Sequence, residues 1–286
     1  MSIYVGVDNY SFHRYFGEVY PGQDMPNCLM RLEDFTALME RMQVQCCSLE
    51  TCFLHADEEL IRRVAQRFPD GVMFAWGHPN GFMETSEAES RAQITRFLRL
   101  SREIGSEVLR VTGSSIKHFS EPHAPQVELT IKRLRGLLPL AQEYEVRLAL
   151  ENHGDFYINE ILHILYKVDS PLIGVALDTG NSLRLKEDPE ENVRKLADRV
   201  FVVHAKDLRF LPGAEPDDPL SLACVPAGQG ITDFPAVFHT LTSVGFSGMV
   251  LVELSRLHPD VKKAGEAEVI RQSLDYLKSL KDEVGK

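Results

Sequence analysis

Four apolar runs of strand length in the second half of the chain each end in a side chain able to bind a metal. This repetition constrains the fold more than any other feature. The runs are Leu148-Ala149-Leu150-Glu151, Ile173-Gly174-Val175-Ala176-Leu177-Asp178, Val200-Phe201-Val202-Val203-His204 and Met249-Val250-Leu251-Val252-Glu253. An unpaired carboxylate is too costly to leave inside apolar packing. Each run therefore reads as a buried strand whose last residue emerges into a polar mouth. Four such ends converge only if the strands are parallel neighbours.

The rest of the chain repeats the same unit. Short β-prone runs at 3–7, 44–49, 72–76 and 108–111 supply four earlier strands. Between strands, apolar residues recur at helical spacing, as with Leu29, Leu32, Phe35, Leu38, Met39 and Met42. The spacing predicts helices over 29–42, 57–68, 85–104, 124–144, 158–168, 232–244 and 261–284. Asp188-Pro189-Glu190-Glu191 opens a further one, with Pro near the first helical position and acids in the first turn. Thr232 or Asp233 caps the penultimate helix. The stretch 209–230, rich in Pro, Gly and Asp, is longer than connections usually are and reads as a loop of the mouth.

Eight alternating units without a linker predict one α/β domain over residues 1–286, a single (β/α)8 TIM barrel. The competitor is an open doubly wound sheet. No Gly-x-Gly-x-x-Gly follows the first strand, which weakens a dinucleotide-binding version of that sheet.

Composition excludes other classes. Hydrophobic content of 44% with 26% charged residues is that of an ordinary globular protein. The formal charge of -11 argues against a general nucleic-acid binder, which needs a surplus of Lys and Arg to neutralise phosphates. No basic leader or bilayer-length apolar segment is read, so the chain is expected to be soluble and cytoplasmic. Cys28, Cys46, Cys47, Cys52 and Cys224 form no zinc-type pair of Cys-x-x-Cys motifs and read as reduced packing residues. Cys46 and Cys47, adjacent on one strand, should point to opposite faces.

In a barrel, side chains of one parity face the lumen and those of the other lie under the helices. Glu151 shares parity with Ala149 and His153, Asp178 with Ala176, His204 with Val202 and Lys206, and Glu253 with Leu251. The opposite parity carries Leu148, Leu150, Val175, Leu177, Phe201, Val203, Val250 and Val252, and also Asn152, expected as an outward-facing support. Taken singly, each acid could be a salt-bridged rim residue and His204 a buried hydrogen-bonded histidine. Facing one another, three carboxylates would repel, and a divalent cation at their centre removes that cost. Glu151, Asp178, His204 and Glu253 are thus the candidate ligands of one divalent ion. Oxygen-rich donors with one imidazole suit Mn²⁺, Mg²⁺ or Co²⁺, with Zn²⁺ also compatible.

Glu151-Asn152-His153, Asp178-Thr179-Gly180-Asn181, His204-Ala205-Lys206-Asp207, Gly228-Gln229-Gly230-Ile231-Thr232-Asp233-Phe234 and Val252-Glu253 together resemble the sugar phosphate isomerase/epimerase family of xylose isomerase-like TIM barrels. That group includes ketose 3-epimerases and inosose dehydratases. The resemblance implies that the four ligands hold one metal and that Glu151 and Glu253 exchange protons with the substrate from opposite faces. A cation chelating a ketone and its neighbouring hydroxyl acidifies the intervening C–H and stabilises an enediolate, so one carboxylate can remove the proton and another return it. The two glutamates are expected four strand positions apart, on different sides of the mouth.

Two departures bear on the substrate. The ketose 3-epimerases carry a substrate-binding His where Asn181 stands, and a further acid that Tyr157 does not match. Candidate substrate contacts are His153, Asn181, Lys206, Arg209, His78 and His13, with Glu50 and Trp76 also at strand ends. Lys206 and Arg209 could hold a hydroxyl, a carboxylate or a phosphate.

The expected activity is isomerisation or epimerisation of a keto-sugar. The nearest alternative is a dehydratase or lyase of a keto-inositol or similar ketone. A remoter one is a hydrolase like the three-zinc abasic-site endonucleases, which need a His at 181 and an Asp-x-His before Gly228. A non-enzymatic sugar-binding protein would be favoured only if no metal were retained. The expected partner is a small-molecule sugar, with no nucleic acid and no membrane, and self-association into a homo-oligomer is allowed.

Overall fold

The computed structural model describes residues 2–55, 57–214 and 221–284. Its strands are β1 (Ile3–Asp8), β2 (Cys46–Glu50), β3 (Gly71–Trp76), β4 (Val108–Val111), β5 (Arg147–Glu151), β6 (Ile173–Asp178), β7 (Val200–Ala205), β8 (Asp207–Phe210), β9 (Leu222–Val225) and β10 (Gly248–Val252). All but β8 and β9 pair in parallel and close a barrel in the order β1-β10-β7-β6-β5-β4-β3-β2. This is the eight-stranded TIM barrel that the alternation predicts.

The helices are α1 (Leu32–Arg41), α2 (Glu58–Ala65), α3 (Glu87–Ile104), α4 (His123–Tyr144), α5 (Ile158–Val168), α6 (Asn181–Arg184), α7 (Pro189–Leu196), α8 (Phe234–Ser243), α9 (Pro259–Lys262) and α10 (Gly265–Val284). Polar caps set several starts by accepting otherwise orphaned backbone N–H groups. Asp57 accepts from Leu60 N at 2.7 Å, Asp188 from Glu191 N at 2.8 Å and Asp233 from Ala236 N at 3.0 Å.

Strand parity divides the apolar packing into two layers. Cys46, Met73, Ala149, Ala176, Val202 and Leu251 fill the lumen, while Cys47, Leu148, Leu150, Val175, Leu177 and Val203 join the larger core beneath the helices. Cys46 and Cys47 thus point to opposite faces. Gly6 approaches the neighbouring strand closely: a Cβ there would overlap the carbonyl oxygen and sulfur of Cys46 on β2. Among the described residues no helix is long and apolar enough to cross a membrane.

Several local expectations are corrected. Phe201, expected under the helices, packs against the lumen cluster, because a register shift pairs Val175 with Val200 and Ala176 with Val202 and leaves Phe201 as the extra residue. One inserted residue reverses parity. The expected loop 209–230 contains an antiparallel ribbon in which Asp207 pairs with Val225 and Phe210 with Leu222; residues 215–220 lie outside the described residues.

The first helix begins at Leu32 rather than Leu29. Arg31 N donates to Asp34 Oδ2 at 2.9 Å at the start of the helix, and Leu29 is exposed. The last expected helix is two, α9 and α10, the second opening at Gly265 with a left-handed φ of 77°. Trp76 faces away from the mouth: its indole N–H donates to Gln93 on α3 at 2.7 Å.

Candidate metal centre

β5, β6, β7 and β10 are consecutive in the closed barrel, so their C-terminal ends share one arc of the mouth. Glu151 ends β5, Asp178 ends β6 and pairs in register with His204 of β7, and Glu253 directly follows β10. Each offers one donor atom, and these four atoms lie within 4.8 Å of one another. His204 Nδ1 is 2.6 Å from Glu253 Oε2 and 3.5 Å from Glu151 Oε1. β6 and β7 separate the two glutamate strands, so Glu151 and Glu253 are three barrel positions apart rather than the expected four. Counting the eighth strand from the fifth around a closed ring leaves only that interval.

The surroundings hold each group in place. Asp178 Oδ1 accepts from Gly180 N at 2.8 Å and Asn181 N at 2.9 Å, and its Oδ2 accepts from Lys206 Nζ at 2.6 Å. Lys206 Nζ also lies 2.6 Å from Glu253 Oε1. Arg110 Nε is 2.8 Å from Glu151 Oε2, and the same guanidinium donates to Glu50. Asp8 Oδ2 lies 3.6 Å from His204 Nε2, on the side of the ring away from the glutamates.

The chemistry of this donor set fits a cation. Both oxygens of Glu151, both ring nitrogens of His204 and Oε2 of Glu253 are buried without a hydrogen bond. Buried polar atoms are ordinarily hydrogen-bonded, so carboxylate and imidazole atoms that meet at one point only as ion-pair contacts suit a shared electrophile. Burial pushes the Glu151 carboxyl up, yet Arg110 together with the neighbouring His153 and His204 outweighs it and brings it down to about 2. Burial likewise opposes ionisation of Glu253, but Lys206 and His204 hold it well below the usual carboxylate range. Asp178 is pushed up by burial to about 6 against the pull of Lys206.

A family profile described as Xylose isomerase-like TIM barrel matches residues 16–280. The chain belongs to this family. Among its curated relatives, 3-oxo-isoapionate decarboxylase of Pectobacterium atrosepticum is 28% identical over 148 residues, covering 52% of each chain. Inosose dehydratase of Mesomycoplasma hyopneumoniae is 25% identical over 156 residues, covering 49% of this chain and 50% of the relative. The chain spans about half the length of these curated relatives. Among solved structures, an L-ribulose 3-epimerase superposes with a TM-score of 0.69 at 16% identity, covering 100% of this chain and 97% of the other. The IOLI protein with a bound zinc atom gives a TM-score of 0.70 at 16% identity, covering 97% of both. These structural likenesses show the fold.

Within the xylose isomerase-like barrel, the other candidate contacts divide. Lys206 joins the centre, and buried Asn181 meets it through its backbone. His153, two residues past β5, has its Nδ1 buried without a hydrogen bond, and burial lowers its pKa to about 4, leaving a neutral imidazole at neutral pH. His78 stands edge-on to His153, ring centroids 6.2 Å apart, with its Nε2 2.8 Å from Glu18 Oε1. His13 stacks on Tyr10 at 5.0 Å, and its two ring nitrogens meet Tyr10 O and Gln23 Oε1, each at 3.0 Å. Both nitrogens being engaged, His13 supports the wall rather than offering a free donor.

Arg209 is not brought to the centre. It lies on β8 with its side chain 41% exposed and pairs with Asp260 at 2.7 Å. Conversely, sequence reasoning missed Asp8 and Arg110 and took Glu50 only as a rim residue. Arg110 was detectable as the one charged side chain inside the apolar run Val108-Leu109-Arg110-Val111.

Proposed function

We propose that this barrel is a divalent-metal-dependent isomerase or epimerase of a keto-sugar, acting through an enediolate. The observation that carries this reading is the convergence of Glu151, Asp178, His204 and Glu253, with donor atoms of Glu151, His204 and Glu253 buried without a hydrogen bond. These four residues would hold the ion, and three carboxylates with one imidazole favour Mn²⁺, Mg²⁺ or Co²⁺. Zinc enters because a structural neighbour holds it. When bound, the ion polarises a ketone and its neighbouring hydroxyl and stabilises negative charge on their oxygens.

Glu151 and Glu253 supply the proton transfers. Each lies at a strand end with β6 and β7 between them, so each reaches the substrate from its own side. One carboxylate takes the proton from the carbon between carbonyl and hydroxyl, and the other returns a proton to the opposite face. Lys206 fixes Glu253 and Asp178, and neutral His153 is placed to hydrogen-bond a hydroxyl.

The curated relatives favour a second reading. Loss of a neighbouring hydroxyl would make the protein a dehydratase, and loss of carbon dioxide from a 3-oxo acid would generate the same enediolate by cleaving C–C instead of C–H. Incubation with Mn²⁺ and a panel of keto-sugars, inosose and 3-oxo sugar acids in deuterated water separates these outcomes. Deuterium incorporated beside the carbonyl without release of water or carbon dioxide supports the epimerase or isomerase. Release of either small molecule supports the lyase, and no exchange or release with any ketone contradicts both.

A further inference from the structure

A buried guanidinium lies directly beside the centre, and the proton transfers above do not use it. Arg110 projects from β4 into the lumen and is 2% exposed. One terminal nitrogen, Nη1, donates to Trp76 O at 3.3 Å and Thr112 Oγ1 at 3.1 Å; the other, Nη2, donates to Glu50. The remaining nitrogen, Nε, faces Glu151 Oε2 at 2.8 Å. In register, Glu50 pairs with Ala75, Ala75 with Arg110 and Arg110 with Ala149, so the guanidinium spans from β2 to β5 across the lumen face.

We propose that Arg110, braced by Glu50, is a positioning residue that holds one oxygen of Glu151 and turns the other toward the centre. Oε2 is engaged by Arg110 while Oε1 is the oxygen facing His204 Nδ1. This inference rests on the reading of Glu151 as an acid–base residue and deepens it.

The choice of arginine has a physical reason. Burying an ion pair is seldom a gain over well-packed apolar side chains, so a guanidinium retained in the lumen is explained poorly by stability alone. Arginine is planar, always charged and able to contact two carboxylates in fixed directions, which a lysine ammonium cannot do. The contact to Trp76 O locks the plane from β3, that to Thr112 Oγ1 from just past β4, and Glu50 locks it from β2. Glu151 therefore meets a cation that does not rotate. Glu253 is held differently, by the Lys206 ammonium, which also meets Asp178.

The test compares Arg110→Met, Arg110→Lys, Arg110→Ala and Glu50→Gln, each checked for fold by circular dichroism. Arg110→Met is expected to lower kcat about 100-fold with little change in KM, the usual consequence of a small misplacement of a reacting group. Calorimetric Mn²⁺ titration should show affinity lower by about 10-fold to 100-fold, the range for losing a group that orients a ligand. Arg110→Lys and Glu50→Gln should give smaller losses of the same kind. Low-millimolar guanidinium should restore part of the Arg110→Ala rate and none of the Glu151→Gln rate.

If Arg110→Met does not fold, the double variant Glu50→Gln/Arg110→Met, which removes the buried pair together, takes its place with the same expected losses. A folded variant with unchanged kcat and Mn²⁺ affinity overturns the positioning role, as does the absence of guanidinium rescue in folded Arg110→Ala. If the wild-type protein itself exchanges no proton with any ketone, the enediolate reading fails. The Mn²⁺ affinities then still decide whether Arg110 orients Glu151.

Discussion

Asn152 and Asp178 are joined by two reciprocal hydrogen bonds: Asn152 Nδ2 donates to the backbone carbonyl of Asp178 at 2.8 Å, and Asp178 N donates to Asn152 Oδ1 at 2.7 Å. The amide thereby continues the pairing of β5 with β6 one residue beyond β5 and fixes the backbone that presents the Asp178 carboxylate. Asn152→Ala leaves a buried N–H and C=O unpaired, at a cost of about 1–3 kcal/mol. Its urea midpoint should fall accordingly, and its Mn²⁺ affinity should drop by about tenfold as Asp178 loosens. An unchanged midpoint and affinity would remove Asn152 from this role.

Asp178→Ala and His204→Ala should strip the metal, and full occupancy by elemental analysis would refute the ligand set. Glu151→Gln should retain some metal while turnover falls by about 100-fold to 10,000-fold, the range for losing an acid–base group. Removal of the ion by a chelator should lower the thermal midpoint of the wild type. Metal at 100 times its Kd stabilises the folded state by about 2.7 kcal/mol.

Gly6→Ala drives a methyl into the carbonyl oxygen and sulfur of Cys46 on the adjacent strand β2. Forced overpacking costs about 1–3 kcal/mol. Cys46→Ala in the same chain should relieve the overlap with sulfur and leave the overlap with the carbonyl, so only part of the lost stability should return. Denaturant titration of the single and double variants checks this.

His123, the first residue of α4, places Nδ1 2.9 Å from Glu160 Oε2 and Nε2 2.9 Å from Phe119 O. Burial pulls the imidazole pKa down, but Glu160 and the Phe119 carbonyl outweigh it, so the folded value is raised. A raised folded value means that the pair's stabilisation is fully present below the unfolded histidine range, about pH 6.5, and is lost as pH rises through the folded value. The stability gap between wild type and Glu160→Gln should be about 1 kcal/mol or less, largest near pH 5.5 to 6, and should shrink toward pH 9. A gap independent of pH would contradict the assignment.

The alternation of strand and helix, the lumen parity of Ala149, Ala176 and Leu251, and the polar ends Glu151, Asp178, His204 and Glu253 were all legible in the sequence. Each depends on local periodicity and on the intolerance of apolar packing for bare charge, and neither needs knowledge of distant residues. From the parallel arrangement, the four ends had to meet.

The tertiary structure alone decided which charge answers which. Glu50 and Arg110 are 60 residues apart and Arg110 and Glu151 are 41 apart, and they meet because β2 to β5 are neighbours in one particular register. The same holds for the Asn152 clasp on Asp178, for Phe201, turned inward by one extra residue in β7, and for Arg209, carried to the surface by the ribbon. A side chain's face follows from its own strand's period, but its partner follows from strand order and stagger. Those are set by closure of the whole barrel.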